Sequence, residues 1–254
     1  MSFETELDAV ASWCDQTDRI ALEVFRDVIE PDVKADGSLV TKADRDIEAL
    51  IRSSIERSFA GDAILGEEEG LSREGAARRW IVDPIDATTN YVRGIPIFAT
   101  LIAMEDRDGL ALGFVSAPAL HQRWWATRGD GASRGAAGIA VSEIATLDDS
   151  HVCTGGMDLF TPHGLGDGAA AVIERCDRHR GFGDFYGHML VAQGSVEAMI
   201  DPIVSSWDLA ACQLIVQEAG GRFTSLQGHA GYEHGSALSS NGRVHDEILA
   251  LFGP

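Results

Sequence analysis

Asp83-Pro84-Ile85-Asp86-Ala87-Thr88-Thr89-Asn90-Tyr91 is the stretch on which the reading of this chain turns. It follows Trp80-Ile81-Val82, a short apolar run that reads as a buried strand ending at Asp83. Pro84 restricts the backbone and supplies no N–H. Asp86 returns a second carboxylate, with the Ile85 carbonyl between the two. Thr88 and Thr89 start a turn or helix whose free N–H groups favour an anion. Hard oxygen ligands on sharply turned backbone suit divalent cations held against a phosphate. Standing alone, the stretch is better read as a capped turn, with Asp86 capping the helix that follows.

Three companions shift that balance. Gly66-Glu67-Glu68 lies upstream, Trp207-Asp208-Leu209-Ala210-Ala211 far downstream, and Val40-Thr41-Lys42-Ala43-Asp44 near the N-terminal side. Each has a plain reading: a solvated acidic loop, a helix with an acid in its first turn, and a Thr/Asp helix start. In this order and together, they argue for one site.

With these motifs, and Glu218-Ala219-Gly220-Gly221 after them, the chain resembles the inositol-monophosphatase-like superfamily of magnesium-dependent, lithium-sensitive phosphatases. The resemblance runs from about Asp8 to Phe252. It implies an α/β fold, a layered α/β/α/β/α sandwich, and a homodimer. It also implies two to three Mg2+ ions. Glu67, Asp83 and the Ile85 carbonyl would hold the first, Asp83, Asp86 and Asp208 the second, and Glu67 with Glu68 a looser third. Thr88, with Asp44 and Glu67, would orient and deprotonate the attacking water, and the backbone at Ala87 and Thr88 would receive the phosphate. One departure stands out: the family usually has glycine at the position of Ala87. If that backbone needs a positive φ, alanine there is strained.

Within the superfamily, Asn90–Pro96, Ala99–Ala103 and Arg180-Gly181-Phe182-Gly183-Asp184-Phe185-Tyr186-Gly187 look most similar to the histidinol-phosphate phosphatase branch. That implies L-histidinol phosphate as substrate and a place in histidine synthesis. Arg180, Gly183, Asp184, Tyr186 and Asp201 would contact the leaving group, and Asp184 and Asp201 could pair with its ammonium and imidazole. An inositol 1-phosphate or broad sugar or polyol monophosphatase is the alternative substrate reading. A fold-retaining binding protein with a macromolecular partner is the alternative from another class. The plain readings are a loop cap for Asp184, a turn at Asp201-Pro202 and core packing for His188. No Cys-x5-Arg loop and no phosphate-binding Gly-x4-Gly-Lys-Ser/Thr occurs.

Composition agrees with this class. The chain has 254 residues, 45% of them hydrophobic, enough for a sizeable core. Its net charge of −20 argues against nucleic-acid binding, which needs a basic footprint. No apolar run approaches a membrane span. Cys14, Cys153, Cys176 and Cys212 form no CxxC pair, which fits reduced thiols in the cytoplasm. A single phosphatase unit over 1–254 is expected, with a metal-binding α+β half (1–145) and a smaller α/β half (146–254). Periodicity predicts helices over Glu4–Ile29 (including Val28), Asp44–Phe59, Gly187–Gly194, Trp207–Ala219 and Val244–Phe252, and a turn at Asp36-Gly37. It predicts strands over Ala63–Leu65, Trp80–Asp83, Phe98–Met104, Leu110–Ala117, Gln122–Thr127, His151–Thr154, Ala198–Asp201 and Arg222–Thr224. The glycine-rich Arg128–Ala140 reads as a mobile loop or hairpin.

Overall fold

The computed structural model describes residues 3–25, 29–35 and 37–253. Helix α1 (Glu4–Val24) leads to a small antiparallel pair, β1 (Asp32–Val33) and β2 (Leu39–Val40), and then to α2 (Lys42–Ser58). There follow β3 (Ala63–Gly66), β4 (Gly70–Ser72), β5 (Arg79–Asp86), the short α3 (Thr88–Val92), β6 (Ala99–Asp106), β7 (Gly109–Ala117), β8 (Gln122–Thr127), β9 (Ala132–Arg134) and β10 (Ala137–Ile139). The remainder comprises β11 (His151–Thr154), α4 (Met157–Phe160), α5 (Gly166–Arg175), β12 (Arg178–Arg180), α6 (Asp184–Ala192), β13 (Ala198–Asp201), α7 (Ser206–Glu218), β14 (Arg222–Thr224), β15 (Ala237–Ser240) and α8 (His245–Leu251).

Two sheets organise the molecule. One has eight strands in the order β10-β9-β8-β7-β6-β5-β3-β4, and the other has five in the order β12-β11-β13-β15-β14. Both faces of the larger sheet are covered, which is why its central strands read as unbroken apolar runs. Side chains alternate between the faces. Trp80, Val82, Ile102 and Met104 pack against Val10, Trp13, Ile47, Ile51 and Ile55 of α1 and α2. Ile81, Leu101 and Ala103 point the other way, onto α6 and α7. Those two helices also meet Cys153, Met199 and Phe223 of the smaller sheet, so they form the middle layer. On its outer face, Val152, Ala198, Ile200 and Leu238 pack against Val172 of α5 and Ile248 of α8. The layers thus run α/β/α/β/α, as expected.

Several local choices in the sequence explain this packing. A Cβ at Gly113 would stand 2.7 Å from the Ala211 carbonyl, so glycine on β7 and the Ala210-Ala211 pair on α7 let helix and sheet approach closely. Thr41 caps α2: its hydroxyl accepts from the Ala43 and Asp44 N–H groups, while its own N–H donates to Asp44 Oδ2 at 2.7 Å.

Boundaries differ from the periodicity in a few places. Helix α1 ends at Val24 with Phe25 already extended; Val28 and Asp36 lie outside the described residues. Strand β5 continues through Pro84 to Asp86 rather than stopping at Asp83. The Arg128–Ala140 segment contains the β9–β10 hairpin.

Candidate active site

The spacing of Asp83 and Asp86 only makes sense with the sheet irregularity beneath it. Residues three apart on a regular strand point to opposite faces. Here β5 slips against β6: Asp83 pairs with Leu101 and Asp86 with Ala99, three steps on one strand against two on the other. That bulge re-aims the second carboxylate toward the first. Asp208 joins them from the first turn of α7, where the Ser205 N–H donates to its Oδ2 at 2.8 Å. Oxygens of Asp83, Asp86 and Asp208 lie within 4.8 Å of one another.

Three carboxylates this close and this buried cannot all be comfortably ionised without a cation. Asp83 is 1% exposed, and its Oδ1 has no hydrogen-bond partner. Burial first, then the charges of Glu67, Asp86 and Asp208, push its pKa well up. Burial, then Asp184 and Asp208, do the same to Asp86, against the opposing bond from the Phe185 N–H at 2.8 Å. Asp208 is pushed up to about 7, chiefly by burial. A buried orphan oxygen amid crowded carboxylates is the donor set that a hard divalent cation fits.

Glu67 and Glu68 follow β3 on a turn that α2 holds. Buried Glu48 accepts the N–H groups of Glu68 at 2.7 Å and Glu69 at 3.0 Å and is itself paired with Arg52 at 2.8 Å. Gly66 is required by this arrangement: a Cβ there would stand 2.1 Å from Glu48 Oε1. Lys34 reaches into the acidic corner, its Nζ 2.7 Å from both Glu67 Oε1 and Glu68 Oε1. Burial opposes the charge on Lys34, but the bonds to the two glutamates outweigh it and raise its pKa. Burial likewise raises Glu68, against the Lys34 bond.

Ala87 has φ 64° and ψ 47°, so the strained alternative raised by the sequence is the one realised. Thr88 Oγ1 is 3.0 Å from the Ile85 carbonyl and 3.5 Å from Asp44 Oδ1. Asp44 is fully buried, and burial lifts its pKa against the opposing bonds from Thr41.

Two chambers meet here. The smaller, about 270 Å³, is lined by Glu67, Asp83, Ile85, Asp86, Ala87 and Thr88, among others. The larger, about 640 Å³, has Asp184, Asp201, His179 and His188 in its wall, with the partly exposed Ile95, Met157, Leu159, Phe182 and Ile203 also lining it. Asp86, Asn90, Asp184 and Asp208 line both. Burial, then the charge of Asp201, push Asp184 up to about 6.

The expected residues thus fall into groups. Asp83, Asp86 and Asp208 converge, with Glu67, Ile85, Ala87, Thr88 and Asp44 around them. Gly183, Asp184 and Asp201 line the larger chamber. Arg180 and Tyr186 do not line either chamber: Arg180 is exposed and bonds the His179 carbonyl, and Tyr186 packs against Trp124, Phe182 and Phe185. Lys34, Glu48, Thr154 and His179 were not anticipated, and Asn90, though part of the Asp83–Tyr91 motif, was given no role. Thr154 and His179 are 25 positions apart and meet at 2.8 Å only because β11 and β12 run parallel in register. His188 was expected as a packing residue; it is buried and also lines the chamber.

Comparison with known proteins agrees with this geometry. A histidinol-phosphatase of Mycobacterium tuberculosis is 44% identical over 223 residues, covering 86% of each chain. One of Streptomyces coelicolor is 42% identical over 245 residues, covering 92% of each. The solved structure of a Thermotoga maritima IMPase superposes with a TM-score of 0.89 at 30% identity, covering 98% of this chain and 96% of that one. The model of the inositol monophosphatase family matches residues 6–253. The chain is a phosphatase and belongs to the inositol monophosphatase family.

Proposed function

We propose that the protein hydrolyses L-histidinol phosphate to L-histidinol and phosphate, with Mg2+, as a step of histidine synthesis in the cytoplasm. The observation that carries the reading is the pairing of chambers. A carboxylate cluster suited to cations opens directly into a cavity that, beyond Asp86 and Asp208 of that cluster, carries Asp184 and Asp201, with no lysine or arginine in its lining among the described residues. A phosphate ester with a cationic leaving group complements both parts. The identity to two histidinol-phosphatases supports the same substrate.

Glu67, Asp83 and the Ile85 carbonyl would hold one Mg2+, Asp83, Asp86 and Asp208 a second, and Glu67 with Glu68 a third. When bound, such ions neutralise the phosphate dianion, acidify a water and stabilise the leaving alkoxide. The chain's own groups do the rest. The backbone at Ala87 and Thr88 receives the phosphate in the smaller chamber. Glu67 and Thr88 Oγ1 orient the attacking water. Its proton passes by way of the Thr88 hydroxyl to Asp44, whose raised pKa makes it the better acceptor. The water oxygen bonds to phosphorus, the bond to the leaving oxygen breaks, and that oxygen departs as the histidinol hydroxyl after taking a proton from a second water, while Asp44 returns its proton to solvent. Residues 1–145 and 146–254 act as one unit, and the functional form is a homodimer.

Phosphate release from histidinol phosphate, inositol 1-phosphate and fructose 1,6-bisphosphate, with and without Mg2+, tests the reading. A strong Mg2+-dependent preference for histidinol phosphate is expected. Equal or greater turnover of inositol 1-phosphate would sink the substrate assignment. Asp86→Asn, which removes one charge from the cluster, is expected to lower kcat/KM by at least about 100-fold.

A further inference from the structure

We infer that His188 and Ser239 are positioning residues that aim Asp201 as the seat for the positive charge of the leaving group; this rests on the substrate reading above. His188 sits on α6, 1% exposed, with its ring 6.0 Å from that of Phe223. An aliphatic side chain would fill such a place at less desolvation cost. Instead both ring nitrogens are engaged: Nε2 is 3.1 Å from Asp201 Oδ2 and Nδ1 is 2.7 Å from Ser239 Oγ. A carboxylate only accepts, so Nε2–H donates toward Asp201, and Nδ1 accepts a hydrogen bond from the Ser239 hydroxyl. Ser239, on β15, pairs with Met199, two residues before Asp201 on the neighbouring β13. The relay therefore has rigid elements at each end.

Its effect is to tie one Asp201 oxygen and leave the other to the cavity. Oδ1 lies 2.6 Å from the point where a Cβ on Gly155 would stand, and Gly155 lines the chamber. Glycine at 155 keeps the approach to that oxygen open. Asp184 stands beside it as a second carboxylate, and its own carboxyl accepts no hydrogen bond from the described residues. An ammonium entering the chamber thus meets one aimed carboxylate and one adaptable one.

Two substitutions separate the halves of the histidine. His188→Asn keeps a nitrogen near the Ser239 side and loses the donor to Asp201, whereas His188→Gln reaches Asp201. For wild type, both variants and Ser239→Ala, kcat/KM is measured on histidinol phosphate and on glycerol 2-phosphate, whose leaving group is uncharged. The preference for histidinol phosphate is expected to fall about tenfold or more in His188→Asn, through KM, and less in Ser239→Ala, with His188→Gln near wild type. Should His188→Asn fail to fold, Ser239→Ala carries the same comparison. Equal losses on both esters in every variant, with wild type still preferring histidinol phosphate, would reduce His188 to packing and leave the substrate reading standing. A wild type with no such preference would overturn both.

Discussion

Ala87 holds a left-handed conformation that alanine tolerates poorly, at a position lining the smaller chamber. The surrounding structure over-determines it: the bulge in β5 precedes it, and its carbonyl accepts the Tyr91 N–H at 3.1 Å. Ala87→Gly is expected to stabilise the protein by roughly 1 kcal/mol, read by denaturant unfolding, because relief of strain exceeds the added freedom of the unfolded chain. An unchanged or lowered midpoint would mean that the local backbone relaxes at no cost. The residue was legible as a departure from the family pattern; its φ was not, since no local signal distinguishes a strained alanine from a comfortable one.

At the scale of elements, the Glu67–Glu69 turn depends on α2 more than on its own sequence. Gly66→Ala would drive a methyl into Glu48 and Arg52, the buried pair that holds the turn. A loss of about 2–4 kcal/mol is expected, together with weaker Mg2+ binding by calorimetry; full retention of both would show that the pair can shift aside. Elements with strong periodicity or apolar runs were legible: β8, β11, β13 and β14 match the sequence-based ranges residue for residue. What escaped was structure made by tertiary context. Strand β15, Ala237-Leu238-Ser239-Ser240, has no apolar alternation because it is buried between β13 and β14 with serines that bond to histidines. Helix α5 begins in a glycine-rich stretch to which the periodicity assigns no element. The metal-type carboxylates were legible from motif order, but the bulge that lets Asp83 and Asp86 converge was not, because it exists only against β6.

For the whole molecule, stability links to both protons and cations. His245 is buried between Thr224 and Ser240, at 2.9 and 2.8 Å, and burial pushes its pKa down to about 4. Between that value and the ordinary 6.5, the unfolded chain binds the proton and the folded one does not, so stability falls as pH drops through this window. The contribution is on the order of 2–3 kcal/mol. His245→Gln should therefore show a shallower loss between pH 7 and pH 4 in chemical denaturation; parallel curves would exclude the histidine as the cause. Mg2+ at about 100 times its Kd should raise stability by about 2.7 kcal/mol, a shift that Asp86→Asn should largely abolish in thermal melts. Lys34 adds a consequence at this scale. In a chain of net charge −20, one ammonium is spent bridging Glu67 and Glu68. That corner is already half neutralised from within. A divalent ion arriving there takes part in an exchange of one cation for another, releasing the lysine arm to water, so the corner should load last and empty first.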